Sequence, residues 1–542
     1  MKNGEQITCA HALVKVLEEN GVKLIFGHPG EQILAFYDEL RKSPIKHVLM
    51  RHEQGAAHAA DGFARSSGKF GVCVATAGPG ALNLVMGVAT SYKDSVPLLV
   101  LTGDVSTKER GLNGFQDIDL CGVFEPITLK SLCPQNAQDA IIKLKEALFL
   151  LQNGPTGPIH INLPKDILLN HVNFEIISSK SFKGDYKPPI KKTEIRKCIE
   201  LLKKSEKPLI FAGSGLIWSG ALKEIKRFIE KNDFPLATTY PARGVLEEDH
   251  PLCLGLMGTR GTPAANFAGE NCDLILGLGC RFSERSMAPL RNPKIVHVNI
   301  DPSVLKGDLK IGMDVKIFLN EILDFDFNIK SSWSHELNEY SRKHPSENFI
   351  DFKYLDSPLK PQQAINEIIN ASKDAIIVND AGTHTTWVTL YRKVLKPGTL
   401  LFSGGFGPMG YGLPASIGAC LGSENESTVL INGDGGFQMN IQELATLHEK
   451  NLPIVICIIN NHSLGIIRQW QETYYGGSYQ IELKNPDFVE LAGSYNIQST
   501  RVNSAGDVFK AVEKAMKTKK PFLIDIDVDP KENIPLPKIH DL

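Results

Sequence analysis

The chain has 542 residues, too many for one hydrophobic core and enough for roughly three to four domains of ordinary size. Hydrophobic residues make up 42% and charged residues 22%, the balance of a globular protein folded in water. A net charge of −2 gives no electrostatic reason to expect nucleic acid or an anionic membrane as a partner.

The opening MKNGEQITCAHALVKVLEENGV reads as a charged amphipathic helix, without the apolar core of a secretion signal or the bias of a transit peptide. No uncharged apolar run approaches the roughly 18–20 residues of a membrane span. Strands are predicted at KLIFG, HVLM, GVCVAT, PLLVLTG and PIHINLP, with helices between them at 54–66 and 137–152. Residues 178–193 are polar, Lys-rich and contain Pro188-Pro189, which is a linker pattern. A second series of strands follows at PLIFAG, PLATT, LILGLG and KIVHVNID, ending near Leu323. The polar, proline-bearing stretch 324–362 marks a second boundary, and the last strands lie at AIIVND, STVLING, PIVICIIN and PFLIDIDV. This alternation predicts an α/β protein of three consecutive α/β domains with mainly parallel sheets, over 1–177, 194–323 and 362–542. The ten cysteines are scattered, and several sit in apolar runs. They are expected to be reduced core residues of a cytoplasmic protein, with no disulfide framework or zinc site.

The strongest chemical signal lies in the third unit. The strand STVLING runs into Gly433-Asp434-Gly435-Gly436, a helical pattern follows, and the strand PIVICIIN then ends in Asn460-Asn461. Asp434 and Asn461 are thus one strand–helix–strand excursion apart. That spacing places both at the carboxyl ends of neighbouring parallel strands, where open α/β sheets bind ligands. One carboxylate and one amide oxygen beside a diphosphate suit Mg²⁺, which takes few protein ligands and keeps phosphate oxygens. Gly433, Gly435 and Gly436 let the backbone approach the phosphates. As isolated dipeptides, Asp-Gly and Asn-Asn would be turn punctuation; the spacing and the two apolar strands favour the ligand site. The stretch 405–410 also fits G-x-G-x-x-G, the dinucleotide fingerprint, but Pro408 and Met409 are bulky where a pyrophosphate needs bare backbone.

In the first unit, Arg51-His52-Glu53-Gln54-Gly55-Ala56-Ala57 joins the strand HVLM to a helix. A glutamate there could simply favour the helix dipole.

These motifs resemble those of thiamine diphosphate-dependent enzymes, most closely the acetolactate synthase catalytic subunit family, over nearly the whole chain. The matching segments include F-G-H-P-G (26–30), T-A-G-P-G-A-L-N-L (76–84), G-F-Q-D (114–117), L-P-K-D (163–166), G-C-R-F-S-E-R (279–285), N-D-A-G-T-H (379–384) and N-N-H-S-L-G-I-I-R-Q-W (460–470). The resemblance implies a pyrimidine-binding, a central and a diphosphate-binding domain. It makes Glu53 the acid that hydrogen-bonds the cofactor pyrimidine N1′, and Gln116 a residue at the cofactor's reactive region. Asp434, Asn461 and the carbonyl of Ser463 become Mg²⁺ ligands, His384 (with Gly382 and Thr383) a diphosphate contact, and Gly407 and Met409 part of the wrap around the cofactor's middle. Arg285 would hold the carboxylate of an acceptor 2-oxo acid through its guanidinium fork, with Trp470 beside the acceptor's side chain and Lys165 also at the substrate site. Bland alternatives are a surface ion pair of Arg285 with Glu284 and ordinary packing of Trp470.

The implied reaction is loss of CO₂ from pyruvate and transfer of the remaining two-carbon unit to a second 2-oxo acid, in branched-chain amino-acid synthesis. A homodimer or dimer of dimers, with Glu53 of one chain facing Asp434 of the other, and a regulatory small subunit are implied as partners. FAD is a further cofactor the central domain could accommodate, near Gly213-Ser214-Gly215 and Asp301. Some positions depart from the family pattern. Glu31 replaces a glycine after F-G-H-P-G, and Pro155-Thr156-Gly157-Pro158 lacks an arginine that contacts FAD. A simple 2-oxo acid decarboxylase or acyl-transferring relative is the competing enzyme, and a cofactor-binding scaffold the non-enzyme alternative.

Overall fold

The computed structural model describes residues 6–173, 191–327, 332–345 and 358–535. Most of the expected linker at 178–193 lies outside these residues. The described chain forms three six-stranded sheets, each all-parallel and flanked by helices. The first orders its strands Lys46–Leu49, Leu24–Gly27, Gly71–Ala75, Leu98–Asp104, Pro158–Pro164, Lys130–Leu132. In the second the order is Cys253–Leu256, Leu236–Thr238, Pro208–Ala212, Leu274–Leu278, Lys294–Asn299, Leu309–Gly312. The third runs Leu400–Leu401, Ile376–Asn379, Thr428–Gly433, Ile454–Asn460, Phe522–Asp527, Gln498–Val502. A short antiparallel pair, Gln6–Thr8 with His171–Asn173, ties the two ends of the first unit together. Central strands such as Ile454–Asn460 are buried along their whole length, as strands covered on both faces by helices must be. Among the described residues no helix is long and apolar enough to cross a membrane.

The polar stretch expected as the second boundary is not simply a connector. It carries the helix Trp333–Lys343, whose Trp333 and Leu337 are buried in the core of the central sheet. Phe267 stacks on Tyr340 of this helix with ring centroids 4.0 Å apart.

The first and third units share one hydrophobic core, which runs from Phe26 and Val100 through to Leu430 and Ile456. At its centre the helix Glu53–Ser67 crosses the helix Gly412–Gly422. The crossing is close because glycine faces backbone: a Cβ on Gly62 would overlap the Ala415 carbonyl, and one on Gly418 the Ala59 carbonyl. A buried polar network reinforces it. Arg65 donates to Asp61 at 2.6 Å and Asp94 at 2.7 Å, Tyr411 donates to Asp61 at 2.8 Å, and Arg65 also reaches the Phe402 carbonyl at 3.2 Å. Losing one partner would strand a charge in the interior, so the network locks the relative position of the two units.

His58 lies in the same crossing, fully buried, with its ring edge-on to Tyr411 at 5.4 Å and neither ring nitrogen hydrogen-bonded. Burial pushes its pKa down to about 4. A depressed imidazole pKa gives stability that is present above the unfolded value near 6.5 and is lost as pH falls toward 4. The wild-type protein is therefore expected to lose stability relative to His58→Phe between pH 6.5 and 4, measured by guanidinium unfolding at several pH values. Parallel curves for the two proteins would contradict this.

One expectation about the cysteines is corrected. Cys121 and Cys133 form a disulfide, with Cα atoms 6.5 Å apart across a sequence separation of 12. The chain passes from the helix Leu120–Phe124 through a 3-10 turn into the strand Lys130–Leu132, and this return brings the two together. No C-x-x-C spacing announces such a pair. The other eight cysteines are free, and all but Cys253 are buried.

Candidate active site

Three turns meet at the carboxyl ends of the third sheet. The strands Thr428–Gly433 and Ile454–Asn460 are adjacent, with Gly433 in register with Ile459, so Asp434 and Asn461 leave neighbouring strand ends. Asp434 is 2% exposed, and burial raises its pKa against the opposing hydrogen bond from Asn485. Asn485 Nδ2 donates to Asp434 Oδ2 at 2.7 Å and to Asn460 Oδ1 at 2.9 Å, bridging the two motifs. Asn461 Oδ1 accepts from Ser463 N at 3.2 Å, while Ser463 O accepts from Gly465 N at 2.9 Å. The third turn is 380–384. The His384 ring lies between Gly382 and Gly433, where a Cβ would meet it at 2.6 and 3.3 Å respectively. Thr383 packs beside Gly465, and Met409 Cε faces Gly435, where a Cβ would meet it at 3.3 Å.

Asp380 holds the turn that carries Met409. Its Oδ2 accepts from Gly410 N and Gly412 N, both at 3.0 Å, and its Oδ1 from Ala381 N at 2.6 Å. Burial raises this carboxyl to about 6. Gly407 has φ +66° and Gly410 φ +86°, the left-handed region that glycine enters without a Cβ penalty.

A second cluster sits in the first unit. Glu53 opens its helix and is 8% exposed. Asn83 Nδ2 donates to Glu53 Oε2 at 3.0 Å, and a Cβ on Gly80 would meet Oε1 at 3.0 Å. Gln116 has φ +66° and packs against Gly78, so Glu53 and Gln116 flank the same 78–80 turn. Among the described residues of one chain no hydrogen bond or ion pair joins Glu53 to Asp434 or Asn461; each has its own partner.

The substrate candidates are dispersed. Arg285 is exposed on the short helix Glu284–Met287 and makes no ion pair with Glu284. It lines a cavity of about 1580 Å³ between the three units, with Arg260, Arg281, Asp301 and Gly404. Ser214 and Gly215 line the cavity too, as do Pro155 and Thr156. Trp470 is 41% exposed on the helix Gly465–Tyr475, so it is not ordinary core packing. Lys165 pairs with Glu31 at 3.3 Å, both partners exposed, a contact weak enough to exchange.

Family models for the thiamine pyrophosphate enzyme N-terminal TPP binding domain, central domain and C-terminal TPP binding domain match residues 7–123, 195–323 and 380–526. The chain is 41% identical to a probable acetolactate synthase large subunit of Methanocaldococcus jannaschii, over 97% of this chain and 93% of that protein. It is 38% identical to the acetolactate synthase large subunit of Cyanidium caldarium, over 98% and 95%.

This chain belongs to the acetolactate synthase large-subunit family of thiamine pyrophosphate enzymes.

The residues of this family member fit a diphosphate at the three-turn cluster. His384 Nε2 and Ser463 Oγ are buried there with no partner, and orphaned polar atoms of this kind call for a ligand. Burial lowers the His384 pKa to about 4, against a backbone hydrogen bond with Asp380, so the ring is neutral near pH 7 and carries a single N–H. Gly433 and Gly435 leave the space a Cβ would fill. The sequence reading missed Asn485 and Asn83, which orient Asp434 and Glu53. Asn485 lies outside both motifs, before Pro486, and looks like turn punctuation. Asn83 falls inside a matched segment, but nothing in its spacing shows that it faces Glu53.

Proposed function

We propose that this enzyme removes CO₂ from pyruvate and joins the remaining two carbons to a second 2-oxo acid, serving branched-chain amino-acid synthesis. The observation that carries this reading is the convergence of Asp434, Asn461, His384 and their glycines at adjacent strand ends. Asp434, Asn461 and the Ser463 carbonyl would hold Mg²⁺, with Gly382, Thr383, His384, Gly433, Gly435 and Gly436 around the diphosphate. Gly407 and Met409 would wrap the cofactor's middle. Thiamine diphosphate supplies, when bound, an electron sink that allows a 2-oxo acid to lose CO₂. Glu53 would hydrogen-bond the pyrimidine N1′ when the cofactor is bound, with Gln116 against the same turn. Arg285 grips the acceptor carboxylate with two parallel N–H bonds, Trp470 lies against the acceptor's side chain, and Lys165 lines its approach.

The two clusters lie in separate units of one chain, and exposed apolar residues surround both: Leu82, Met86 and Phe115 near Glu53, Phe406 and Met439 near Met409. Such surfaces mark an interface, and a second copy in a homodimer or dimer of dimers would bring Glu53 to the partner's diphosphate cluster. The central cavity has room for FAD or a nucleotide of similar size. A regulatory small subunit and a cytoplasmic location complete the reading, with functional domains at 1–177, 194–323 and 362–542. The test is a product assay on the thiamine diphosphate- and Mg²⁺-loaded enzyme with pyruvate alone. Acetoin after acidification reports acetolactate. Acetaldehyde without acetoin would make the protein a decarboxylase, and no CO₂ from any 2-oxo acid would make it a scaffold.

A further inference from the structure

Arg260 lies outside the segments that carry the family resemblance. It stands on the loop between the strand Cys253–Leu256 and the helix Pro263–Asn271 and points its charge into the central cavity. The start of the loop is pinned by Asn266, whose Oδ1 accepts from the Gly258 N–H at 2.9 Å and whose Nδ2 donates to the Gly258 carbonyl at 3.0 Å. Thr259 N donates to the Arg285 carbonyl at 3.1 Å, so Arg260 and Arg285 sit on segments that are hydrogen-bonded to each other.

Neither guanidinium has a carboxylate partner among the described residues. Burial and the like charge of Arg285 both push the Arg260 pKa down, and Arg260 in turn depresses His384. Two cations on hydrogen-bonded segments therefore face the same cavity, and the charge of Arg260 reaches the His384 ring. One carboxylate saturates one guanidinium fork. With only pyruvate or 2-oxobutyrate held by Arg285, the second charge would stay half-buried and uncompensated, an arrangement that costs stability.

We propose that Arg260 and Arg285 form a paired anion site that admits a 2-oxo acid bearing a second carboxylate as acceptor. The inference rests on Arg285 being the acceptor residue, as proposed above. With 2-oxoglutarate the step balances: pyruvate loses CO₂, the carbon that bore it bonds to the acceptor's keto carbon, and the keto oxygen takes up a proton. The product is 2-acetyl-2-hydroxyglutarate.

The experiment uses the thiamine diphosphate- and Mg²⁺-loaded enzyme and two readouts. Calorimetric titration with 2-oxoglutarate, without pyruvate, reports binding; mixed reactions of pyruvate with 2-oxoglutarate or 2-oxobutyrate report acceptor choice. Arg260→Gln is expected to weaken 2-oxoglutarate binding about tenfold or more, the cost of one charged hydrogen bond, and to shift product ratios toward 2-oxobutyrate. Arg260→Lys should fall between the two. The proposal is overturned if the wild-type enzyme does not bind 2-oxoglutarate or if the variant alters both acceptors equally. It is also overturned if the variant weakens only thiamine diphosphate or a flavin nucleotide, which would assign Arg260 to a cofactor. Binding that depends on Arg260 in an enzyme making no acetolactate would remove the carboligase reading and leave the anion site standing.

Discussion

Glu53→Gln is expected to keep thiamine diphosphate and Mg²⁺ bound while turnover falls by about 10²–10⁴, the usual worth of a positioned acid or base. The environment of Glu53 supports so clean a separation. Glu443 of the third unit accepts from Arg51 N twice at 3.1 Å and from His52 N at 3.0 Å, clamping the start of the Glu53 helix. Gly55 abuts the same carboxylate, so a side chain there would displace it. Asn83 can donate to the glutamine carbonyl as it does to the carboxylate. The variant thus preserves shape and backbone while removing the carboxyl group that, as proposed, would exchange a proton with the pyrimidine N1′. Steady-state rates with pyruvate, set against cofactor affinity from fluorescence quenching, measure the two effects separately. Wild-type turnover in this variant would take Glu53 out of the catalytic machinery.

Asp434→Ala should act on the other end. The carboxylate is almost fully buried, and its two neighbours in the fold, Asn485 and the 433–436 backbone, are positioned around its charge. Removal leaves Asn485 Nδ2 without one acceptor and, in the proposed site, would take from Mg²⁺ its one carboxylate ligand. A loss of about 100-fold or more in Mg²⁺-dependent cofactor affinity is expected, on the scale of breaking a buried charge pair. Calorimetric titration of the apoprotein with thiamine diphosphate at fixed Mg²⁺ measures it, and an unchanged circular dichroism spectrum excludes unfolding. Unaltered affinity would show that the cation, if bound, is held elsewhere.

The strands that the sequence makes visible are almost all interior ones. Val72 to Ala75, Leu209 to Ala212 and Ile454 to Ile459 are continuous apolar runs because helices cover both sheet faces. The strands that escape prediction are Lys130–Leu132, Cys253–Leu256, Leu309–Gly312, Leu400–Leu401 and Gln498–Val502, together with the Gln6–Thr8 and His171–Asn173 pair. Each is a sheet edge or belongs to the two-stranded pair. An edge strand such as QSTRV needs only its neighbour's hydrogen bonds and little apolar area, so it leaves no periodic trace. The helix Trp333–Lys343 was hidden for a related reason: its mostly polar residues face water, and only a few side chains, Trp333 and Leu337 among them, anchor it.

The site divides the same way. Residue type and local spacing decide that Asp434 and Asn461 leave adjacent strand ends, because one strand–helix–strand excursion in a parallel sheet has a nearly fixed length. The same local chemistry puts Glu53 at a helix start and glycine beside His384. Contacts between residues of different elements follow no local period, whether a dozen or several hundred positions separate them. Only the packed chain sets Glu443 under the Glu53 helix, bridges Asp434 and Asn460 through Asn485, pairs Cys121 with Cys133, and brings Arg260 beside Arg285. These arrangements depend on how three sheets and a glycine-lined helix crossing fit together, and that fit is a property of volumes and burial summed over the whole fold.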